Sequence, residues 1–180
     1  MNWITAKVRF GSIILLFLAI LSGCGIYSFS GIAIDYNKIK TISIQRFYDE
    51  ANGGPPNLAQ LFTENLRDYY QQNTQLTLES SSGDLQLSGS ITGYNFSPVA
   101  PRSSGSPTEA DVAGLQRLTI RIQVNYVNLI EPEASFEKSF SFYDDYNPDT
   151  QELSSVEDEL IETITEQIIY DIFNATVANW

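Results

Sequence analysis

Leu21-Ser22-Gly23-Cys24 is the group of residues in this chain whose types and spacing specify a chemistry most directly. A thiol placed after small residues, behind the apolar run Ile13 to Leu21, is the layout of a bacterial lipoprotein signal, in which the cysteine sulfur receives a diacylglyceryl group before cleavage. Lys7 and Arg9 precede the run with no acidic residue, the charge pattern of a secretory signal. Cys24 is the only cysteine, so no disulfide can form within the chain. Nine apolar residues reach about 14 Å as a helix against about 30 Å of hydrocarbon, too short for a permanent span. The expectation is that residues 1–23 are removed and Cys24 becomes an acylated N-terminus. Several acyl chains at about 0.8 kcal/mol per buried CH₂ would hold it on a bilayer. The alternative is an ordinary secreted protein in which Cys24 has no such role.

The other residue types are poor in reactive groups. There is no histidine, and acylation would consume the thiol. The commonest general base, the commonest nitrogen ligand for metals and the thiol nucleophile are thereby missing together. The expectation is a protein that is not an enzyme and carries no cofactor and no metal. Asp144-Asp145, with Asp149 near, could hold a hard cation, but the segment lacks the alternating oxygen spacing and distal glutamate of a calcium loop. A polar turn before a helix is the favoured reading. Glu157-Asp158-Glu159 could supply acid/base carboxylates, and capping and solvation at a helix start are favoured there.

Two further sets are candidates for binding. Arg102, Arg117 and Arg121 could meet an anionic ligand such as a lipid phosphate, although ordinary surface charge explains them too. Tyr94, Phe96, Tyr126, Tyr143 and Tyr146 fall near predicted strand ends, where amphipathic rings serve interfaces, or else sit in sheets as core.

Charge narrows the partners. The chain carries −12 at pH 7, and removal of residues 1–23 leaves 8 basic and 22 acidic side chains, or −14. No basic stripe exists to displace counterions from phosphates, so nucleic acid is not an expected partner. About 157 residues suffice for one domain with a hydrophobic core.

The elements that must position these residues follow from periodicity. Thr41 to Phe47 alternates as a half-buried strand. Asn52-Gly53-Gly54-Pro55-Pro56 is a break, after which Leu58, Leu61, Phe62, Leu66, Tyr69 and Tyr70 mark one face of a helix ending near Gln72. Gln75 to Leu78 is a short extended piece, and Ser80-Ser81-Ser82-Gly83 a turn. Leu85, Leu87, Gly89 and Ile91 share one face of a strand in which Gly89 and Gly93 allow close packing or curvature. Residues 97–114, rich in Pro, Ser and Gly, read as an exposed, mobile loop. Leu118, Ile120, Ile122, Val124 and Tyr126 give the clearest strand, and Phe136, Phe140 and Phe142 line the next. Ser154 and Glu157 spell a capping box for a final helix with the stripe Leu153, Val156, Leu160, Ile161, Ile164, Ile168, Ile172 and Phe173. The fold class expected is α+β: a two-layer α/β sandwich, with a four-stranded mixed sheet and two helices packed on one face, in the order β-α-β-β-β-α. The domain organisation expected is a signal at 1–23, a lipidated tether and edge segment at 24–40, and one domain at 41–180.

The chain also resembles the LPS-assembly lipoprotein family, LptE, in a form similar to those of Bacteroidetes-type bacteria. The carriers are Gly25-Ile26-Tyr27-Ser28-Phe29-Ser30-Gly31, Thr41-Ile42-Ser43-Ile44 and Gly83 to Tyr94, then Arg117-Leu118-Thr119-Ile120, Val156 to Ile161 and Asp171 to Trp180. No piece is a chemical signature by itself; their run in order carries the likeness. The resemblance implies a plug inside a large outer-membrane β-barrel, LptD, which inserts lipopolysaccharide into the outer leaflet and whose assembly the lipoprotein assists. It also implies lipopolysaccharide contact through basic residues at one end, where this chain offers Arg102, Arg117 and Arg121 against Asp144, Asp145 and Asp149. Tyr94, Phe96, Tyr143 and Tyr146 become the candidates for the barrel interface. Gly25 after Cys24 lacks the aspartate that retains enterobacterial lipoproteins in the inner membrane, and no acidic run marks surface export. The implied location is the outer membrane, facing the periplasm. A lipoprotein that pilots a secretin or binds envelope polymers is the alternative function.

The Cys24→Ala variant is expected to leave the membrane fraction while keeping its fold. Membrane fractionation beside circular dichroism checks this, and membrane attachment of that variant with no barrel present would contradict the anchor.

Overall fold

The computed structural model describes residues 34–99 and 114–177. Its elements in chain order are β1 (Thr41–Ile44), β2 (Tyr48–Asp49), α1 (Leu58–Asn73), β3 (Thr77–Glu79), β4 (Leu85–Pro98), β5 (Gln116–Asn128), a 3₁₀ turn (Pro132–Ala134), β6 (Phe136–Tyr146) and α2 (Leu153–Thr176). The fold is α+β with both helices on one face of a mixed sheet, as the periodicities imply. Among the described residues the sheet has six strands instead of four, ordered β3-β1-β4-β5-β6 with β2 beside β4. The two additional strands are two and three residues long, too short for a period of two to stand out. β1 runs parallel to both β3 and β4, whereas β4, β5 and β6 form an antiparallel meander.

The core face follows from alternation. Leu118, Ile120, Ile122, Val124 and Tyr126 of β5 are all buried, with Leu85, Leu87 and Ile91 of β4 beside them. α1 lays Leu58, Phe62, Leu66 and Tyr70 on this face, and α2 adds Val156, Leu160, Ile161, Ile164, Ile168 and Ile172. Where the helices end, Tyr70 and Thr176 share a hydroxyl–hydroxyl hydrogen bond, and Phe173 packs edge-on to Tyr69 and Tyr70 at 5.1 and 5.3 Å.

The expected first strand breaks early. Four steps lead from Ile44 to Tyr48 against three from Leu87 to Ser90, so one residue is extra between β1 and β2. That irregularity turns Phe47 into the core, where its ring meets Phe62 edge-on at 5.1 Å. Its backbone N–H donates to Thr63 Oγ1 (3.0 Å), whose hydroxyl donates in turn to Ala59 O (2.6 Å). A buried polar group is thus satisfied from α1. Phe47 lies over Gly89: a Cβ there would stand 2.6 Å from Phe47 Cε1 and 2.1 Å from Gln123 O.

The link from β3 to β4 must pass β1, because both strands lie parallel to it on opposite sides. Gly83 makes the crossing possible, since a Cβ would come within 2.5 Å of Ser43 N. Asp84 then ties the strand starts: its carboxylate accepts the N–H groups of Lys40 (2.9 Å) and Thr41 (3.0 Å), while its own N–H donates to Thr41 Oγ1 (2.9 Å).

Three local expectations are corrected. The capping box does not form, because α2 begins at Leu153 and Ser154 is already inside its first turn; Glu152 is the N-cap, with no side-chain cap bond. Asp144 and Asp145 are not in a turn, because β6 stays paired with β5 as far as Tyr146 opposite Gln116. The turn is Asn147 to Gln151, closed by Gln151 N–H to Asn147 O at 2.9 Å. Of the loop placed at 97–114, Ser97 and Pro98 belong to β4 and Val99 N–H still bonds Leu115 O at 2.9 Å, while residues 100–113 lie outside the described residues.

Gly89→Ala is expected to cost about 3 kcal/mol in urea unfolding, since the new methyl has β5 backbone on one side and the Phe47 ring on the other. Alkaline pH gives a second check. Burial pushes the phenols of Tyr70, Tyr94 and Tyr126 up from 10.0, Tyr126 to about 12. Groups whose folded values lie above the unfolded one stabilise fully below pH 10 and lose that contribution as pH rises through the folded values. Unfolding followed by circular dichroism should therefore set in above pH 10, together with the late tyrosinate absorbance of these three.

Candidate functional site

The binding candidates divide between the two faces of the sheet at the end where β4, β6 and α2 meet, and a bulge in β4 decides which goes where. Ile91 pairs with Ile122 and Gly93 with Arg121, so Thr92 is an extra residue. Before it the odd-numbered residues face the helices; after it the even-numbered ones do. The signal was present in the sequence as the switch from Leu85, Leu87, Ile91 to Tyr94, Phe96 across Thr92-Gly93.

On the helix side Tyr94, Phe96 and Tyr146 form an aromatic row, with ring centroids 5.7 and 6.3 Å apart and edge-on geometry. Tyr94 is buried and its hydroxyl donates to Glu157 Oε1 at 2.6 Å. Burial first, and then the hydrogen bond to the Glu157 carboxylate, hold its phenol well above the ordinary range. Glu157, read from sequence as part of a cap, is thus the residue that fixes Tyr94. Phe96 is 38% exposed and Tyr146 partly so, and the row opens outwards from a fixed base.

On the other face stand Arg117, Arg121 and Tyr143. Arg117 is opposite Asp145 in register and grips it with two bonds, Nε to Oδ1 at 2.7 Å and Nη2 to Oδ2 at 2.9 Å. Its guanidinium carbon lies 3.6 Å from the Tyr143 ring centroid. Both partners of the pair remain partly open to solvent, where an ion pair adds little stability; its effect is to orient the fork. The hydrogen bond that Arg117 donates to Asp145 holds its proton more firmly still. Asp145 was weighed from sequence as a cation ligand, and the fold makes it an arginine partner instead. Arg121, opposite Ser141, is exposed and among the described residues has no carboxylate partner. Around it the face is polar and at least partly open, with Ser88, Ser90, Gln123, Asn125, Ser139 and Ser141. Both helices lie on the opposite side. Cys24 and Arg102 lie outside the described residues.

Between the helices runs a groove of about 800 Å³, lined by Asp68, Tyr69, Phe142, Glu162, Glu166 and Tyr170 among others. Among the described residues no three His, Cys, Asp or Glu side chains converge as a metal site would require, and no helix is long and apolar enough to cross a membrane.

No curated protein matches the sequence at a significant level. Among solved structures, the chain is similar to PelC from Paraburkholderia phytofirmans, crystallised as a dodecamer, at 6% identity and TM-score 0.48, covering 83% of this chain and 96% of that one. It is similar to the rare lipoprotein B of Shewanella oneidensis at 12% identity and TM-score 0.43, over 76% and 90% of the two chains. A minor lipoprotein from Acinetobacter baumannii gives 12% identity and TM-score 0.41, over 77% and 96%. The family described as LptE, lipopolysaccharide-assembly, matches residues 39–176, a span that takes in every strand and both helices described above. The chain belongs to the LptE family of lipopolysaccharide-assembly proteins, and its role lies in lipopolysaccharide assembly.

Proposed function

We propose that the protein is a non-enzymatic outer-membrane lipoprotein, anchored at Cys24 on the periplasmic side, that plugs the lipopolysaccharide-exporting β-barrel LptD and assists its assembly. The observation that carries this reading is the family match over residues 39–176, combined with a sheet that keeps both helices on one face and offers a polar one on the other. A barrel lumen wide enough for a domain is itself polar, so a face of serine, glutamine and asparagine side chains can replace its water without burying unpaired charge. Phe96, Tyr143 and Tyr146 would supply barrel contacts, with Tyr94 supporting Phe96 from beneath. Arg121, exposed on the polar face and without a carboxylate partner among the described residues, would meet lipopolysaccharide phosphates. Arg117 would join it through the N–H groups that Asp145 leaves unused, and Arg102 stands near in sequence.

After mild detergent extraction the mature lipoprotein should co-purify with a large outer-membrane barrel. Arginine at both Ser139 and Ser141, exposed on the polar face of β6, should reduce that capture about tenfold, whereas Glu166→Arg on the helix side should not. Capture of a secretin, or of no barrel, would overturn the proposal.

A further inference from the structure

The connection between β5 and β6 exposes two adjacent large apolar side chains, Leu129 (56% exposed) and Ile130 (41%). Single exposed leucines are ordinary, but an apolar pair on a rigid tip is not accounted for by turn chemistry. The turn itself is held by other residues. Asn128, buried, accepts the N–H groups of Ile130 (3.0 Å) and Glu131 (2.8 Å) on its side-chain oxygen, and its own N–H donates to Ser135 Oγ at 2.9 Å. Pro132–Ala134 then closes a 3₁₀ turn. None of these bonds needs an apolar side chain at 129 or 130, yet together they hold both side chains outwards.

The tip lies beside the start of β1. Leu129 N–H donates to Asp84 O at 2.9 Å, and the Asp84 carboxylate in turn holds the N–H groups of Lys40 and Thr41. Ile34 is six residues before Lys40, and Cys24 ten residues before Ile34. Sixteen residues lead from Cys24 to Lys40 and span at most about 58 Å, so an acyl chain on Cys24 tethers the sheet from this end. Both helices also end here, joined by Tyr70 and Thr176.

We propose that Leu129 and Ile130 form a second membrane contact, seated in the lipid interface beside the acylated N-terminus; this rests on the anchor assigned to Cys24. A lipid surface suits the pair because the chain leaves the sheet for its anchor from this end. Glu131 and Glu133 flank it, which selects a zwitterionic surface over an anionic one. With the tip seated, β5 points its other end away from the anchoring leaflet. Arg117 then stands about 37 Å further along the strand, comparable with the thickness of a bilayer.

The test uses the mature lipidated protein with Ile130→Cys, whose thiol is the only free one, carrying an environment-sensitive dye. The protein is reconstituted in vesicles of phosphatidylethanolamine and phosphatidylcholine, and Ser141→Cys on the polar sheet face serves as control. The dye at 130 should shift to the blue and be quenched by brominated lipid, and the dye at 141 should do neither. Protein that floats with the vesicles while the dye at 130 stays water-like would overturn the contact but keep the anchor. Protein that does not float would overturn the anchor and the contact with it. A shift at 130 that appears only when a barrel is added would assign the pair to a protein interface and overturn the lipid contact.

Discussion

Everything on the helix side depends on how closely the parallel half of the sheet joins the meander, and that joint is the contact of Phe47 with Gly89. β1 and β2 reach the rest of the sheet through β4, while β3 reaches it through β1. The extra residue between β1 and β2 sends Phe47 inwards, and only the absence of a side chain at Gly89 leaves room for its ring. α1 is held to the same place, since Thr63 takes the Phe47 N–H and Phe62 meets its ring, and Arg67 donates to Ile44 O at 2.6 and 3.1 Å from the neighbouring turn of the helix. One close approach thus fixes the strand break, the helix position and the depth of the core between them.

The two faces of the sheet carry different physical demands. On the helix side, phenol hydroxyls are removed from water and must find partners, which Tyr94 does with Glu157 and Tyr70 with Thr176. On the other side no described element covers the sheet, and serine, glutamine, asparagine and arginine can stay hydrated. The exposed helix surfaces carry Glu64, Asp68, Glu159, Glu162 and Glu166, while the open sheet carries both signs, Arg117 and Arg121 with Glu137 and Asp145.

Much of this was legible without coordinates because it is local. The 3.6-residue stripe of Val156, Leu160, Ile164 and Ile168 needs only neighbouring turns of one helix, and the alternation of Leu118 to Tyr126 only one strand, so both were read with the correct inward face. Features that fail locally were misread. The capping box at Ser154 and Glu157 matches a pattern, yet Glu157 is drawn away by Tyr94, 63 residues distant. Asp144 and Asp145 have turn-like composition, yet pairing with β5 and the grip of Arg117 on Asp145 keep them in a strand.

The sequence by itself determined the α+β class, both helices and the long strands with their inward faces, since each rests on periodicity within a few residues. It also carried the resemblance to LptE and the expectation of acylation at Cys24. Tertiary structure alone decided the strand order, the parallel joint at β4, the hold of Glu157 on Tyr94, and the union of Arg117 with Asp145. The physical reason is distance along the chain. Those contacts join residues that share no local period, and their geometry exists only once the backbone between them has been brought round.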